Sequence, residues 1–513
     1  MAIAVGELLV AADVGTTSVK VGLVDRHLSI LAAVREDIVL SYPQPNRVEQ
    51  DPEDWWRALC RAVRVLLRNH PETSRKIGGI VLAAQMCGVV AADEDGRPLR
   101  PCMVWLDKRA GALMRSSIGG WPQIAGYNAI QLLRSIQITN GAPSLNGMDP
   151  TAKMMWLRQA EPEIWANTAK LLDVKDWLLH RATGRFCTTA DSAHLTWMLD
   201  TRGGKAIWSP ELMKRYGIPR EKLPDIIGGT DIVGSLTPPA AAELGMPAGL
   251  PVVAGCGDVC AAAIGSGATG DGELHVSLGT SAWIGGFYPG RRLSITESFA
   301  TITSPAGNRP LLIATQECAG ACLDWLNSVM GSPSEARQDQ AGNLPIFLPW
   351  LAGERVPIDD NRLRGAFLGL SLATSQHDLV AAVTEGIALN LRLAMSSVTR
   401  LRGTVSAGPL PVIGGAANSD QLCQTLADCL QRDLKRPMAP QYASLRGAAA
   451  LASVALGWHS TPWHPEPSQG HGKTTIFRAQ PEQSSYYDRR FEMFRDAVRR
   501  IVPWYKKYSD GTA

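Results

Sequence analysis

Two short turns rich in glycine and small hydroxyl residues are the first places in this sequence that could carry chemistry. Gly15, Thr16 and Thr17 separate β-branched runs in AADVGTTSVKVGLVD, and Asp13 comes just before them. The stretch VSLGTSAWIGG repeats this pattern half a chain later, at 279–281. Glycine lets backbone N–H groups approach a phosphate closely, and the hydroxyls add donors. Such turns predict phosphate binding, although a single one is more often an ordinary hairpin turn.

The repetition of the turn indicates two domains of related architecture. In both places the turn joins two short strand-like runs, and the second copy supplies Gly279, Thr280 and Ser281. A duplicated domain explains such a distant repeat better than two unrelated hairpins do. We therefore predict that two hairpins hold the phosphates of one nucleotide.

The elements around the first turn must position it. Runs at 7–14 and 18–25 predict a hairpin, and the run at 30–40 predicts a third strand of the same meander. The stretch DPEDWWRALCRAVRVLLRNH begins with Asp51 as the expected N-cap and a proline, which predicts an amphipathic helix. Another strand is predicted at 77–85. This order is that of a ribonuclease-H-like core, a mixed sheet covered by helices.

Length, charge and cysteine use limit the remaining function classes. The 513 residues exceed one hydrophobic core and predict two large domains. The net charge is only +3, without a basic stripe, so we expect a small-molecule partner rather than nucleic acid or a membrane. The ten cysteines form no Cys-x-x-Cys pair and predict reduced thiols in the cytoplasm. Neither a signal peptide nor an uncharged apolar stretch of about 18 residues stands out, which predicts a soluble protein.

Several ordered blocks extend the pattern beyond the two turns. They are DVGTTSVK, AAQMCGVVAAD, VWLDKRA, MDPTAKMMWLRQ, GCGDVCAAAIGSG, SLGTS, FLPWLAGERVPIDDNRLRGAFLGL and GGAANSDQLCQTLADCL. From about residue 7 to about residue 455 the chain resembles the FGGY family of carbohydrate kinases, most closely its xylulokinase branch. The resemblance implies an α/β fold of two ribonuclease-H-like domains, as in actin and hexokinase, around an ATP and sugar cleft. It implies a boundary at LGMPAGLPV, and hence domains 1–250 and 251–513.

The resemblance assigns the nucleotide and its metal to residues of both turns. Asp13 matches the carboxylate that holds Mg²⁺, and Thr16 and Thr17 match residues that meet the phosphates. Lys20 occupies a position that in some relatives contacts the transferring phosphoryl group, although a lysine in a strand can equally belong to a solvated face.

The block GGAANSDQLCQTLADCL resembles the site for adenine and ribose. The family usually has a third glycine, which is replaced here by alanine. A loop followed by a helix cap would explain the glycines but not the match of the whole block. The residues assigned in this way are Gly414, Gly415, Ala416, Asn418 and Ser419.

Asp258 in GCGDVCAAAIG matches the catalytic aspartate of the family. A carboxylate there could accept the proton of the sugar hydroxyl. The same residue could be the N-cap of the alanine-rich helix that follows. The two roles are compatible, because a helix N-terminus stabilises an ionised carboxylate and would make Asp258 a weak base.

The resemblance places sugar recognition in the first domain. Polyol binding needs paired donors and acceptors and an apolar wall. Large apolar residues beside strands are usually core, and the Asp-Arg pair of VWLDKRA could be a simple surface ion pair. The xylulokinase-like pattern has histidine after Gln-Met, where this chain has cysteine, so the identity of the sugar is open. The residues matched to the pocket are Gln85, Met86, Cys87, Trp105, Asp107 and Arg109.

Together these observations predict an ATP-dependent, Mg²⁺-requiring kinase that phosphorylates a ketopentose such as D-xylulose. Another pentulose, a polyol or a sugar acid is the alternative acceptor. A nucleotide-dependent binding module that does no chemistry would keep the two hairpins but would need neither Asp258 nor a polyol pocket. The sequence leaves a homodimer open.

Overall fold

The chain is divided into two units, each built on one large mixed β-sheet. A computed structural model describes residues 6–295, 297–307, 309–331, 344–405, 408–463 and 474–508. Unit 1 comprises Met1–Gly267, Ile302–Leu311 and Tyr442–His471. Unit 2 comprises Ala268–Thr301, Leu312–Gln441 and Gly472–Ala513.

The first half of the chain alternates short strands and helices. Its strands are β1 (Leu8–Val14), β2 (Ser18–Asp25), β3 (Ile30–Asp37), β4 (Ser41–Gln44), β5 (Arg47–Gln50), β6 (Ile77–Ala84), β7 (Val90–Ala92), β8 (Cys102–Met103), β9 (Gln123–Ile124), β10 (Tyr127–Asn128), β11 (Lys170–Leu172), β12 (Cys187–Thr189), β13 (Leu199–Asp200), β14 (Ile207–Trp208), β15 (Asp225–Ile227), β16 (Ile232–Ser235) and β17 (Pro251–Gly257). Its helices are α1 (Pro52–Asn69), α2 (Gly111–Ile118), α3 (Ala129–Thr139), α4 (Pro150–Ala160), α5 (Pro162–Asn167), α6 (Val174–Thr183), α7 (Ala190–His194), α8 (Pro210–Tyr216), α9 (Pro238–Leu244) and α10 (Asp258–Gly265).

The second half follows the same alternation. Its strands are β18 (Leu274–Leu278), β19 (Ala282–Phe287), β20 (Leu293–Ser294), β21 (Phe299–Ile302), β22 (Leu311–Gln316), β23 (Ile346–Leu348), β24 (Ala366–Leu368), β25 (Leu410–Ile413), β26 (Leu434–Arg436) and β27 (Thr475–Phe477). Its helices are α11 (Gly320–Met330), α12 (Gln376–Val398), α13 (Asp420–Leu430), α14 (Ala443–Ala455) and α15 (Ser484–Tyr508).

The main sheet of unit 1 has the strand order β16-β17-β6-β1-β2-β3. β1 pairs antiparallel with β2 and parallel with β6, and every residue of β1 is buried. The meander, the helix and the returning strand are therefore confirmed, with two short strands, β4 and β5, inserted before the helix. Asp51 caps α1 as predicted, since its side chain accepts the N–H of Glu53. This arrangement brings the C-terminal ends of β1 and β6 together.

The main sheet of unit 2 repeats this plan with additional strands at its edges. Its order is β20-β21-β22-β19-β18-β25-β26-β27. β18 pairs antiparallel with β19 and parallel with β25, as β1 pairs with β2 and β6. The two hairpins predicted from the sequence thus occupy equivalent places in two sheets of one topology, and the ribonuclease-H-like fold class is confirmed.

The structure differs from the predicted domain boundary between 250 and 251. β17 pairs in parallel with β6 and so completes the first sheet, which keeps Asp258 in unit 1 rather than in the C-terminal domain. The glycines and prolines before β17 mark the loop that leads into this strand, not a change of domain. α14 also returns to unit 1, where it packs on β1, β6 and α10.

One described helix, α12, is long and apolar enough by composition to cross a membrane. It is mostly buried in the core of unit 2, where residues such as Ile387, Leu391 and Val398 belong to the same cluster as the strands of the sheet. Glu385 in its middle binds Arg490 of α15, and both side chains are buried. α12 therefore has the environment of a core helix, and α15 packs on α12, α13 and β23 within unit 2.

Candidate active site

The first hairpin turn is closed by one backbone hydrogen bond, which leaves its hydroxyls at the surface. Gly15 N donates to Ser18 O over 2.9 Å. Thr16 is half-buried and Thr17 is exposed. The Thr16 carbonyl accepts a hydrogen bond from Gln50 Nε2 at 2.9 Å, so the turn is tied to β5 from behind. The turn is therefore held by two hydrogen bonds, and its Thr17 side chain is exposed.

Asp13 lies at the end of β1, directly opposite Lys20 of β2 in the antiparallel register. Lys20 Nζ is 3.8 Å from Asp13 Oδ2, and the two side chains are 25% and 7% exposed. The lysine is thus beside the carboxylate rather than on a separate solvated face. Burial raises the pKa of the Asp13 carboxyl, against the opposing effects of Lys20 and Ser444. Asp13 Oδ1 is buried and has no hydrogen-bond partner among the described residues.

Asp258 is the first residue of α10, and Gly257 occupies the N-cap position. The expectation that Asp258 is itself the cap is therefore wrong. Its Oδ1 accepts the N–H of Val259 at 2.9 Å, and Gly257 N donates to the buried Asp191 carboxylate at 2.7 Å. The start of α10 is thus fixed by two hydrogen bonds to carboxylates, one from Gly257 N and one from Val259 N.

The pKa of Asp258 differs from the expectation of a weak base at a helix N-terminus. Burial, with a further contribution from the Asp13 carboxylate, raises the pKa of Asp258 to about 8. These two effects outweigh the helix terminus and the Val259 N–H, which favour the ionised form. The structure therefore places two carboxyl groups with raised pKa values at the same edge of the main sheet of unit 1, at the ends of β1 and β17, with β6 between these strands.

Gln85 follows β6 and is held by Gln50, a residue that the sequence analysis did not single out. Gln85 N donates to Val14 O at 2.8 Å, and its Nε2 donates to Gln50 Oε1 at 2.7 Å. Gln85 Oε1 is buried and has no partner within the described part of the chain. Gln50 therefore links the phosphate turn to the predicted sugar loop. The only sequence signal for it is a glutamine just before the capped helix.

Met86 and Cys87 differ in burial, although they are adjacent in the same loop. Met86 is buried and lies against Gly257, where a Cβ would be 2.2 Å from its sulfur atom. Cys87 has a left-handed φ of 65°, and it alone of the ten cysteines is not buried. Met86 thus packs beside the start of α10, and Cys87 is the accessible residue of the loop.

Trp105 makes a direct connection between the predicted sugar and phosphate residues. Its Nε1 donates to Thr16 Oγ1 at 2.9 Å, and the indole is half-buried. The indole therefore belongs to the wall beside the first turn rather than to a closed core. Thr16 accepts in this contact, so its own hydroxyl hydrogen remains able to point elsewhere.

Asp107 and Arg109 form a buried ion pair. The alternative interpretation of these residues as a simple surface ion pair is therefore wrong. Asp107 is fully buried, and its Oδ2 accepts from Val48 N at 2.8 Å and from Arg109 Nη2 at 2.7 Å. Arg109 Nη2 also donates to Glu49 at 2.6 Å, and the guanidinium lies 4.9 Å from the centre of the Trp156 ring. The pair therefore ties the loop after β8 to β5, and Asp107 faces its protein partners.

The second hairpin turn is built like the first and is braced by α11. Gly279 N donates to Ser281 O at 2.8 Å, and Thr280 is exposed. Ala319 N and Ala321 N donate to Thr280 O, and Gly320 N donates to Gly279 O. A Cβ on Gly320 would lie 2.7 Å from that oxygen, so only glycine permits this approach.

The predicted adenosine loop follows β25 in unit 2. Gly414 has a φ of 94°, and a Cβ there would meet Leu278 O at 2.3 Å, which explains the glycine. The space around Gly415 is open, and a short 3-10 helix spans Gly415–Asn418. Ser419 caps α13, since its hydroxyl accepts the N–H of Leu422 at 3.2 Å. Ala416 and Asn418 belong to this 3-10 turn, so the loop and the cap are both present.

Among the residues that the structure describes, the metal-ligating side chains do not form a cluster for a metal ion. Within the described ranges, no group of three or more His, Cys, Asp or Glu residues could hold a metal ion. A cation at Asp13 and Asp258 would therefore have to take part of its ligands from water or from a bound nucleotide.

Comparison with known proteins places both units in one family. The model for the FGGY family of carbohydrate kinases, N-terminal domain, matches residues 8–265, and the corresponding C-terminal domain matches residues 274–456. Xylulose kinase of Escherichia coli is 30% identical over 511 residues, covering 97% of this chain and 99% of that protein. Gluconokinase of Bacillus subtilis is 24% identical over 478 residues, covering 87% of each chain.

A solved structure agrees with this assignment. The crystal structure of a xyloylose kinase from Brucella ovis superposes with a TM-score of 0.83 at 26% identity. The match covers 97% of this chain and 100% of that one. The similarity therefore extends over both units, the two hairpin turns and the predicted adenosine loop.

Proposed function

Because the chain belongs to the FGGY family of carbohydrate kinases, we propose that it transfers the γ-phosphoryl group of ATP to the terminal primary hydroxyl of a ketopentose, first of all D-xylulose. The family makes the protein a sugar kinase with ATP as co-substrate. The xylulose kinases among its relatives, and their full-length coverage, support D-xylulose as the acceptor. The acceptor, the metal and the role of each residue are the proposed part.

The carboxyl groups of Asp258 and Asp13, which lie at the same edge of the main sheet of unit 1, are the observation that carries the proposal. The ionised Asp258 accepts the proton of the sugar hydroxyl while the hydroxyl oxygen bonds to the γ-phosphorus. The bond from this phosphorus to the bridging oxygen breaks, and ADP leaves with the electron pair. Burial raises the pKa of Asp258 to about 8, so its ionised form is a stronger base than an ordinary carboxylate.

The donor set fits Mg²⁺ at Asp13. This carboxyl has one buried oxygen without a partner among the described residues, and burial raises its pKa. Burial, together with the Asp13 carboxylate, also raises the pKa of Asp258. A hard divalent cation prefers such carboxylate oxygens and would favour their ionised forms. When bound, Mg²⁺ would supply charge stabilisation to the transferring phosphoryl group.

The two glycine turns are proposed to hold the phosphates. Each turn is closed by a backbone hydrogen bond and leaves a threonine exposed, Thr17 in one case and Thr280 in the other. Lys20, beside Asp13, would add positive charge where the phosphoryl group transfers. The open space at Gly415 suits a flat ring against bare backbone, as adenine requires.

Sugar recognition is proposed for Gln85, Cys87 and Trp105, with Met86 as part of the apolar wall. Gln85 Oε1 is a buried acceptor without a partner among the residues the structure describes, and Trp105 supplies an aromatic surface. Asp107 and Arg109 are proposed to support this wall through Glu49 and Val48.

A sugar acid is the second candidate acceptor, because Cys87 stands where the xylulokinase pattern has histidine. A gluconokinase is among the relatives, at 24% identity. We place either reaction in the cytoplasm, where ATP is available. Nine of the ten cysteines are buried thiols, which is consistent with a reducing compartment.

Initial rates of ADP release with pentuloses, hexuloses, polyols and aldonates test the proposal. We expect the highest kcat/KM with D-xylulose and no more than slow ADP release without sugar. Efficient turnover of an aldonate or polyol, with all pentuloses inert, would move the assignment to that acceptor. Absence of sugar-dependent ADP release with every class would contradict the kinase assignment.

A further inference from the structure

The peptide bond between Cys87 and Gly88 is held at both ends by charged side chains. Lys153 Nζ donates to Cys87 O at 2.7 Å, and Gly88 N donates to Asp173 Oδ1 at 2.8 Å. Lys153 is fully buried, and Asp173 is 9% exposed. A single peptide plane is therefore fixed by an ammonium group on its oxygen and a carboxyl group on its nitrogen.

This peptide needs such a restraint because of the backbone of Cys87. A φ of 65° is unfavourable for a residue with a Cβ and persists only where the surroundings enforce it. Gly88 is required beside it, because a Cβ there would lie 2.8 Å from Val174 and 3.2 Å from Asp173 Oδ1. The contacts with Lys153 and Asp173 thus keep Cys87 in a conformation that it would not adopt alone.

Lys153 and Asp173, the clamp that holds this peptide, both belong to helix segments of unit 1. Lys153 lies in α4 and donates a second hydrogen bond to Val104 O at 2.8 Å, one residue before Trp105. Asp173 is the N-cap of α6, and the Asp176 side chain accepts its N–H in return. Burial lowers the pKa of Lys153, because a charged ammonium group is unfavourable in a buried site. A lysine at this position therefore lowers stability unless its two hydrogen bonds are needed.

We propose that Lys153 and Asp173 are positioning residues that direct the Cys87 side chain and thereby set which sugar the site accepts. This inference rests on the proposed function, since it takes Cys87 to face the sugar. Cys87 is the one cysteine that is not buried. The direction of its side chain therefore determines whether a ligand at this loop contacts the thiol.

The variants Asp173→Ala and Asp173→Asn separate positioning from general stability. Alanine removes the acceptor for Gly88 N, whereas asparagine keeps an oxygen there and remains a good helix cap. Asp51→Ala is the matched control, because it removes the cap of α1, which accepts the N–H of Glu53. Lys153→Met removes the other half of the clamp. Its control is Lys170→Met, since Lys170 also donates to two carbonyls, those of Glu221 and Leu223.

Steady-state kinetics with two ketopentose epimers give the first readout. We expect Asp173→Ala and Lys153→Met to raise KM for the preferred sugar about tenfold and to change the kcat/KM ratio between the epimers at least about threefold. KM for ATP should stay within about twofold of wild type. Asp173→Asn should restore the ratio, and neither control should change it. In a Cys87→Ala background, Asp173→Ala should no longer change the ratio.

Alkylation of Cys87 by iodoacetamide gives a second readout that needs no sugar. We expect Asp173→Ala to raise the alkylation rate at least about threefold, because the loop is released and the thiol becomes more accessible. Asp51→Ala should leave the rate unchanged. If alkylation responds but no sugar is phosphorylated, the proposed function fails and the positioning role stands. Active variants with unaltered selectivity and unaltered alkylation would overturn the inference.

Discussion

The indole N–H of Trp105 donates a 2.9 Å hydrogen bond to the hydroxyl oxygen of Thr16. Trp105 follows β8 and Thr16 belongs to the β1–β2 turn, so the contact joins two segments that are distant in sequence. One is assigned to the sugar and the other to the phosphates of ATP. The positions of these two side chains therefore depend on each other.

This contact predicts energetic coupling between the two residues. Trp105→Phe keeps an aromatic wall but removes the donor, and Thr16→Val keeps the shape but removes the acceptor. Each change should lower kcat/KM several-fold. The double variant should be no less active than the less active of the two single variants, which corresponds to a coupling free energy of about 1 kcal/mol between the side chains. Steady-state kinetics of the four proteins measure it. Strictly additive losses would show that the hydrogen bond has no role in turnover.

Removal of the Asp258 carboxylate should separate chemistry from ATP binding. Asp258→Ala is expected to reduce sugar phosphorylation roughly 10²- to 10⁴-fold, because a positioned base is lost. ATP affinity, measured by calorimetry, should change little, since other residues hold the phosphates. Asp54→Asn, also in the first turn of a helix in unit 1, is the control. Near-normal turnover by folded Asp258→Ala would rule out the assignment of the base.

Cys87 predicts a weaker preference among pentulose epimers than a histidine at the same position would give. A thiol is a weak donor, so a sugar hydroxyl that an imidazole would bind is left unpaired or is met by water. Cys87→His should increase the kcat/KM ratio of D-xylulose over its epimers about tenfold, while Cys87→Ser should not. Competition assays with paired epimers measure this ratio. A lower preference for D-xylulose in Cys87→His would indicate a pocket built for another sugar.

The crossing of α10 and α14 predicts a stability defect. A Cβ on Gly447 would lie 1.8 Å from Ala261 O, and the helix that would have to move begins with Asp258. Gly447→Ala should lower the free energy of unfolding by about 2 to 3 kcal/mol and also reduce kcat. In Gly234→Ala the nearest atom is 3.6 Å away, so this control should be close to wild type. Urea unfolding compares the two, and equal stability would contradict the close packing.

His275 predicts a loss of stability in mild acid. Burial lowers the pKa of this β18 histidine to about 4, from an ordinary value of 6.5. Below pH 6.5 the unfolded chain therefore binds a proton that the folded chain does not, and stability falls as the pH falls toward 4. Between pH 7.5 and 5 this contributes about 2 kcal/mol.

The variant His275→Leu isolates this contribution. Urea unfolding at both pH values should show that wild type loses about 2 kcal/mol more than the variant. His459→Leu, which changes an exposed histidine, should behave like wild type. If His275→Leu and wild type lose the same stability on acidification, the buried neutral histidine is not responsible.

The parts of the fold predicted correctly depend on neighbouring residues. The β1–β2 hairpin and the capped helix α1 follow from a turn, an alternating run and an Asp-Pro pair, all local signals. The boundary near 250 was wrong because β17 looks the same from its sequence whether it begins a new sheet or completes the old one. Its pairing with β6 decides this, and that contact is not local.

The chemistry of the site shows the same limit. The turns and Asp258 could be found from their residue types, but the pKa of Asp258 depends on burial and on Asp13, which is far away in the chain. The burial of Asp107 depends on partners from β5. Gln50 and Lys153 could not be assigned roles from the sequence, because their partners are backbone atoms and side chains of distant loops.

The most direct test of the kinase assignment follows ATP and D-xylulose by ³¹P nuclear magnetic resonance in the presence of Mg²⁺. We predict that the γ-phosphate signal of ATP declines as ADP appears, and that a phosphomonoester signal, split into a triplet by an adjacent CH₂ group, grows in equal amount. The triplet identifies a primary hydroxyl as the acceptor and excludes the secondary hydroxyls. Release of inorganic phosphate in place of the monoester, or unchanged ATP, would contradict the account.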